Sequence, residues 1–267
     1  MTPHSILTRA DGATIAYHHR PGRVDGRALP GVLFCGGFHS SMTGTKATML
    51  DSFCASRGQQ FTRFDYQGHG ASSGTFAEGT IGAWFDDLLA VFEDITEGPQ
   101  VVVGSSMGGW MALLLTLLRR ERIAGLVLLA PAADFTTELM WKTIPPEARQ
   151  QIQDKGIWMR PSVYDDGPYP ITRQLIEESR DHLILDRPIP FDGPVRILLG
   201  QQDHVIPVEH VLRTAEAITS DDVEVTLIKR GDHRLSEPAD LAKLRAAVAE
   251  LSNRPATPAA LPDSLAI

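Results

Sequence analysis

Short apolar runs alternate along this chain with longer segments whose apolar residues have helical spacing. The short runs are rich in β-branched and aromatic residues and include GVLFCGG, QQFTRFD, VVVG, IAGLVLLA, VRILLG and VEVTLIK. From Ile81 to Ile95 the apolar residues instead recur every three or four positions, which is the period of one helix face. Strands that alternate with helices in this way predict βαβ units and therefore a mostly parallel sheet.

One interval, residues 134–187, breaks this alternation. It mixes prolines, aromatic residues and short amphipathic pieces, and it is too long for a simple connection. An insertion after a central strand lies over the carboxyl ends of the strands, where ligands bind in such sheets. We therefore expect an α/β core of residues 1–133 and 188–252 with a small cap of residues 134–187. Residues 253–267 are proline-rich without any period and predict a mobile tail.

Composition and charge exclude several classes of protein. With 267 residues, 43% of them hydrophobic, the chain is long and apolar enough for a substantial core. Its net charge of -8 and lack of basic runs argue against nucleic-acid binding. The sequence has no uninterrupted stretch of about 18 apolar residues, so no membrane span is expected. The N-terminal segment has no basic region followed by a long apolar one, which predicts a cytoplasmic location. Nothing in the sequence specifies an oligomeric state.

The segment VVVGSSMGGW, residues 101–110, is the first candidate for chemistry. Three consecutive valines predict a strand buried on both faces, and the apolar segment WMALLLTLLRR predicts a helix, so the serine pair lies where strand gives way to helix. Ser106 is centred in the pattern Gly-x-Ser-x-Gly of a nucleophile elbow, whereas Ser105 is not. Side chains at the two glycine positions would collide with the adjoining helix and strand. A simple tight turn would also use such small residues. The motif therefore indicates a nucleophile only if the chain also supplies a matching acid and base.

A serine hydroxyl becomes nucleophilic when a histidine takes its proton and a carboxylate orients that histidine. In hydrolases with this elbow, the acid and then the histidine follow the serine, each on a loop after a strand. VRILLGQQDHVIP supplies Asp203 and VEVTLIKRGDHRLSEP supplies His233 in those positions. Asp134, after LVLLAPAAD, is an alternative acid. Three other histidines are alternative bases: His69 precedes the nucleophile, His204 adjoins the acid and His210 lies in a predicted helix.

The loop after the early strand, within GVLFCGGFHSSMTGTKA, predicts the second part of an oxyanion hole. Its glycines allow close approach to a substrate, so we expect the backbone N–H groups of Phe38 and Met107 to bind an oxyanion. Gly44-Thr45-Lys46 resembles a phosphate loop but has the wrong glycine spacing, and nucleotide binding is not expected. HExxH, paired CxxC and GxGxxG motifs are absent, so we expect neither a metal nor another cofactor.

Together, CGGFHSSMTGTKA, RFDYQGHGASSG, GSSMGG, GQQDHVIP and GDHRLSE resemble the α/β-hydrolase superfamily over nearly the whole chain. MTGTKA and DFTTELMW are most similar to the abhydrolase group that includes the mitochondrial acyl-protein thioesterase, which also hydrolyses acyl glucuronides. The resemblance implies a sheet of about eight mostly parallel strands flanked by helices, with the cap inserted after the sixth strand. It also implies the triad of Ser106, Asp203 and His233, and supporting roles for Asp65 and His69.

These observations predict a cofactor-free serine hydrolase that cleaves small carboxylic esters or thioesters of medium-length acyl groups through an acyl-enzyme. In the expected cap, Met140 and Trp141 are candidates to bind the acyl chain, although they could instead pack the cap onto the body. A peptidase or C–C bond hydrolase on the same fold is an alternative function. A non-catalytic ligand-binding protein is another, and the intact set of serine, acid and histidine argues against it.

Overall fold

An eight-stranded sheet crosses the computed structural model, which describes residues 4–23, 29–161 and 167–254. The strands in those ranges are β1 (Ser5–Thr8), β2 (Thr14–Arg20), β3 (Gly31–Cys35), β4 (Phe61–Phe64), β5 (Gln100–Ser105), β6 (Ile123–Leu129), β7 (Ile157–Arg160), β8 (Tyr169–Thr172), β9 (Val195–Gly200) and β10 (Val223–Ile228). The order across the sheet is β1-β2-β4-β3-β5-β6-β9-β10. Within this sheet, β1 and β2 are antiparallel to their neighbours and the remaining pairs are parallel, while β7 and β8 form a separate antiparallel pair. The prediction of a mostly parallel sheet of about eight strands is confirmed.

Helices cover both faces of this sheet. They are α1 (Thr45–Ser56), α2 (Ile81–Asp94), α3 (Met107–Arg119), α4 (Pro146–Lys155), α5 (Arg173–Glu178), α6 (Val208–Ala217) and α7 (Pro238–Asn253). One apolar core lies under α2 and α3 and contains Trp84 and Trp110, while a second lies under α1 and α7. Because the central strands contact a core on each face, every residue of β5 is buried, which explains why its sequence lacks polar alternation. Within the described ranges, no helix has both the length and the apolar character needed to cross a bilayer.

The register of the sheet brings the predicted loops to one edge. Cys35, the last residue of β3, pairs with Gly104 of β5, so the loop after β3 begins beside the elbow. Gly200, at the end of β9, pairs with Ile228 at the end of β10. The loops that follow these two strands are joined by a hydrogen bond of 2.9 Å from Gln202 N to Gly231 O. Parallel strands thus deliver all four loops to the same edge.

The interval between β6 and β9 holds a π-helical turn (Thr136–Trp141), α4, the β7–β8 hairpin, α5 and a 3-10 turn (Ser179–His182). The division into a core and a cap of residues 134–187 stays a prediction. Helix α7 continues to Asn253, one residue beyond the predicted end of the core. From residue 255 onward the predicted tail, residues 253–267, lies outside the described residues.

Candidate active site

Ser106 occupies a strained corner between β5 and α3. Its φ of 54° and ψ of -117° lie in a region that residues other than glycine rarely adopt. Hydrogen bonds on both sides keep it there: its N–H donates to Leu129 O at 2.9 Å, and its carbonyl accepts from Gly109 N at 2.8 Å and from Ala132 N at 3.1 Å. The corner therefore projects the Ser106 side chain away from the sheet with little freedom to move.

The two glycines of the elbow are required by their surroundings. A Cβ on Gly104 would lie 2.4 Å from Gly108 O, and one on Gly108 would lie 2.1 Å from Cys35 O. Both distances are far below van der Waals contact with backbone atoms, which cannot move aside cheaply. Side chains at these two positions would therefore collide as the sequence pattern predicts, and their absence allows α3 to pack directly on β3 and β5.

Ser106, His233 and Asp203 form one continuous chain of polar contacts. His233 Nε2 lies 3.2 Å from Ser106 Oγ, and His233 Nδ1 lies 2.8 Å from Asp203 Oδ2. Because a carboxylate only accepts, Nδ1 carries the hydrogen, which leaves the Nε2 lone pair to face the serine hydroxyl. The Asp203 side chain is 1% exposed and that of His233 is 18% exposed. Of the residues predicted as acid and base, the structure brings these two to the nucleophile.

The alternative acid lies elsewhere. Asp134 is buried, and its carboxylate accepts hydrogen bonds from Ile184 N at 3.0 Å and from Leu185 N at 2.9 Å. Burial raises the pKa of this carboxyl group, and the two N–H donors oppose that shift. Asp134 thus joins the two ends of the interval between β6 and β9. Of the alternative bases, His204 is exposed and His210 is buried in α6.

The two predicted oxyanion donors flank the nucleophile. Met107 is the first residue of α3, so its N–H has no acceptor within the helix and lies at the positive end of the helix dipole. The loop that carries Phe38 passes close by, because a Cβ on Gly37 would lie 3.4 Å from Ser106 Cβ. Within the described ranges, no protein acceptor takes the Phe38 N–H. Asp65 supports the loop by accepting from Met42 N at 2.6 Å.

A cavity of about 240 Å³ opens at Ser106 and His233. Aromatic rings form one side, where Tyr169 of β8 stacks on His39 with ring centroids 5.5 Å apart. The other side is polar and includes Lys46, whose ammonium donates a hydrogen bond to Arg234 O. Burial lowers the pKa of Lys46 to about 8. The sequence analysis missed Tyr169 because its contact with the cavity depends on how the β7–β8 hairpin folds back, which no local pattern shows.

The structure does not bring Met140 and Trp141 to this cavity. Met140 is 5% exposed and belongs to the apolar core beneath the π-helical turn. Trp141 packs partly against the same core, and the guanidinium of Arg149 lies 5.6 Å from the centre of its ring. The expectation that Met140 and Trp141 bind the acyl chain is therefore corrected. Both side chains instead attach the interval between β6 and β9 to the body of the protein.

Several known proteins are similar to this chain in sequence and in structure. A family model described as serine aminopeptidase, S33, matches residues 27–165. The palmitoyl-protein thioesterase ABHD10, mitochondrial, of Mus musculus is 39% identical over 254 residues, which cover 95% of this chain and 84% of that protein. A putative hydrolase from Agrobacterium vitis S4 superposes with a TM-score of 0.88 at 37% identity, covering 93% of this chain and 98% of that one. The structure of alpha/beta hydrolase domain-containing protein 10 from mouse gives a TM-score of 0.84 at 39% identity, covering 94% and 98%.

The expected cytoplasmic location is wrong by this comparison, because the mouse relative is named as a mitochondrial protein. The expectation rested on the lack of a basic region followed by a long apolar one, which is the pattern of a secretory signal and does not bear on import into mitochondria. The family model covers more than half of the chain and the relatives match nearly all of it. The chain therefore belongs to the α/β-hydrolase family and is an enzyme of the esterase and thioesterase type.

Proposed function

We propose that this enzyme hydrolyses carboxylic esters or thioesters of medium-length acyl groups through an acyl-enzyme on Ser106. The observation that carries the proposal is the unbroken contact from Ser106 Oγ through His233 to Asp203, at 3.2 and 2.8 Å. These distances suit hydrogen bonds in which the serine hydroxyl donates to the imidazole and the imidazole donates to the carboxylate.

In the first step, His233 Nε2 takes the proton from Ser106 Oγ as the oxygen attacks the acyl carbonyl. Asp203 stabilises the imidazolium that forms and keeps the ring oriented. The carbonyl oxygen becomes an oxyanion, and the Phe38 and Met107 N–H groups would donate to it. Because such donors are fixed before the reaction, they stabilise the transition state more than the substrate.

In the second step, the imidazolium returns its proton to the leaving alcohol or thiol as the bond to the acyl carbon breaks. Water then occupies the place of the leaving group and gives a proton to His233. The resulting hydroxide adds to the acyl-serine carbonyl, and collapse of this second intermediate returns the proton to Ser106 Oγ. The products are the free acid and the regenerated enzyme, and no cofactor takes part.

Two observations support acyl substrates of moderate size. The cavity of about 240 Å³ is smaller than the roughly 300–1,000 Å³ typical of pockets for drug-sized ligands. Its aromatic side, formed in part by Phe38 and Tyr169, offers apolar surface to an acyl chain. The mouse relative is named a palmitoyl-protein thioesterase, and we extend the proposal to acyl groups carried on protein thiols, where the thiol of the protein would be the leaving group.

A peptidase is the second candidate, because the matching family model is described as a serine aminopeptidase. An amine is a poorer leaving group than an alkoxide or thiolate, so amide cleavage needs efficient protonation of the leaving nitrogen. A peptidase would also discriminate by the amine side of the bond, whereas the proposed esterase discriminates by the acyl chain.

The experiment compares kcat/KM for three matched series: p-nitrophenyl esters from acetate to palmitate, acyl thioesters of the same chains, and aminoacyl amides. We expect kcat/KM to rise with chain length by a few-fold per methylene until the acyl chain fills the cavity, and then to level off or fall. The Ser106→Ala variant is the control and must lose both the activity and labelling by a fluorophosphonate. Turnover of amides at rates comparable with the best ester, without any dependence on acyl length, would replace the esterase by the peptidase.

A further inference from the structure

His69, in the turn after β4, connects two segments of backbone through its two ring nitrogens. Nδ1 lies 3.0 Å from Gln67 O, and Nε2 lies 3.1 Å from His39 N. A carbonyl can only accept and an amide N–H can only donate, so Nδ1 carries the hydrogen and Nε2 is an acceptor. The ring is therefore neutral and uses both of its nitrogens.

The ring has little freedom to leave this position. His69 is 4% exposed and makes edge-to-face contacts with Tyr66, Phe76 and Trp84 at centroid distances of 5.8, 5.0 and 5.2 Å. Burial lowers its pKa to about 4, against the effect of the bond to Gln67 O. The titratable groups whose charges act on it are His39 and Asp65. At neutral pH the ring consequently keeps its acceptor.

The amide that His69 accepts from belongs to the peptide between Phe38 and His39. His39 has a positive φ of 58°, which a residue other than glycine holds only when its surroundings impose it. The Phe38 ring packs edge to face on Phe76 and Trp84, the same two rings that contact His69. Phe38 is thus restrained through its ring and through the peptide that follows it.

Other side chains restrain a different part of this loop. Asp65 accepts from Met42 N at 2.6 Å, and Arg63 donates to Met42 O at 2.6 Å. Met42 lies four residues beyond Phe38, whereas the amide bound by His69 is adjacent to it.

Ser40 contacts the peptide that carries the Phe38 N–H itself, because its N–H and its hydroxyl donate to Gly37 O at 3.2 and 2.7 Å. The contact made by His69 holds the peptide on the other side of Phe38, so the direction of the Phe38 N–H is set from both sides and His69 supplies the second restraint.

We propose that His69 is a positioning residue for hydrolysis, whose Nε2 holds the 38–39 peptide so that the Phe38 N–H is directed at the oxyanion formed on Ser106. The inference rests on the proposed function, because it assigns the oxyanion to the Phe38 N–H. Oxyanion donors act only within a narrow geometry, and a shift of about 1 Å costs on the order of 100-fold in rate. The bond to His39 would prevent such a shift.

A pair of amide variants separates the two ends of the ring. His69→Asn retains a polar group near the position of Nδ1 but does not reach His39 N. His69→Gln extends one methylene further and places an acceptor near the position of Nε2. We expect His69→Gln to stay within about tenfold of the wild-type kcat and His69→Asn to fall by about 100-fold, with KM changed little in either. The inhibition constant of an alkyl trifluoromethyl ketone, which forms an oxyanion on Ser106, should rise in parallel with the loss of kcat.

His69→Leu removes both polar ends, and His210→Leu is its matched control, since His210 is also a buried histidine but lies in α6. We expect the first to lose kcat at least as strongly as His69→Asn and the second to retain it. If His69→Leu does not fold, the Asn and Gln pair still decides the question. Equal kcat values in that pair, or a rise in KM with unchanged kcat, would overturn the proposal.

Hydrogen exchange of the His39 amide gives a readout that does not depend on catalysis. We expect this amide to be protected in the wild type and in His69→Gln and to exchange faster in His69→Asn. Faster exchange without a loss of kcat would overturn the positioning role and leave the proposed function intact. Failure of the wild type to hydrolyse any ester or to bind the ketone would instead reject the proposed function, and with it the role assigned to the Phe38 N–H.

Discussion

Asp203 divides its two carboxylate oxygens between the histidine and its own loop. Oδ2 lies 2.8 Å from His233 Nδ1, while Oδ1 accepts from Val205 N at 2.7 Å and from Ile206 N at 2.9 Å. The backbone donors fix the carboxylate, and the carboxylate in turn fixes the imidazole. Orientation of the proposed base is therefore determined by a loop that makes no contribution to the nucleophile itself.

The two aspartates that compete in the sequence should separate on mutation. Asp203→Asn presents an amide to His233, favours the wrong tautomer and is expected to lower kcat by on the order of 10⁴. Asp134→Asn should leave kcat within about tenfold and lower the melting temperature by a few degrees, because one of its two buried acceptor sites is lost. The test measures kcat by steady-state kinetics and the melting temperature by thermal unfolding for both variants. The reverse ranking of the kcat values would transfer the role of the acid to Asp134.

Strain at Ser106 predicts that glycine is more stable than alanine at this position. Ser106→Ala and Ser106→Gly should both lower kcat by a factor of about 10⁴ or more, because each removes the nucleophile. Glycine tolerates the positive φ of this corner, whereas alanine does not. We expect Ser106→Gly to melt about 2–4 °C above Ser106→Ala.

Ser105→Ala, which changes the neighbouring serine, is the control for the loss of activity and should retain a substantial part of it. If Ser105→Ala and Ser106→Ala lost activity equally, the assignment of the elbow would be wrong. A melting temperature for Ser106→Gly at or below that of Ser106→Ala would show that the corner stores no strain.

The buried, neutral His69 predicts a loss of stability on acidification. Its pKa is about 4 in the folded chain and about 6.5 in an unfolded one, so the unfolded state binds more protons between these values. The free energy of unfolding should therefore fall as the pH is lowered from about 6.5 to about 4, by at most about 1.4 kcal/mol per pH unit from this group.

Denaturant unfolding of the wild type and His69→Gln across this pH range measures the effect. The variant should show a shallower decline than the wild type, because glutamine does not titrate. His204→Gln, a change at an exposed histidine, should keep the wild-type slope. Identical slopes for the wild type and His69→Gln would mean that His69 accepts a proton without cost in the folded state.

Tyr169 is expected to limit the acyl groups that the cavity accepts, because its ring forms one wall and stacks on His39. Tyr169→Ala should move the optimum of kcat/KM toward longer chains, since truncation of the ring enlarges the cavity. Tyr169→Phe keeps the ring and is the matched control. The test measures kcat/KM along the p-nitrophenyl ester series for both variants. An unchanged chain-length optimum in Tyr169→Ala would place the acyl group elsewhere.

Local patterns in the sequence predicted the sheet, the helices that flank it and the order of Ser106, Asp203 and His233. For the sheet and its helices the prediction is confirmed, because burial between two helical layers removes polar alternation from a strand. The glycine pattern marks the elbow because a Cβ at Gly104 would collide with Gly108 O and one at Gly108 with Cys35 O. The alternation of strand and helix follows from the side chains within each segment, which is why a local pattern predicts it. These parts of the protein were therefore determined by the sequence alone.

Tertiary structure decided which side chains reach the cavity and which only pack. Met140 and Tyr169 both lie in the interval between β6 and β9, yet the first is buried in the core and the second lines the site. The contact of His69 with His39 joins residues 30 positions apart, and that of Asp134 with Leu185 joins residues 51 apart. An apolar or polar position shows that a side chain will be buried or exposed, but its partner is set by how distant segments fold back on one another.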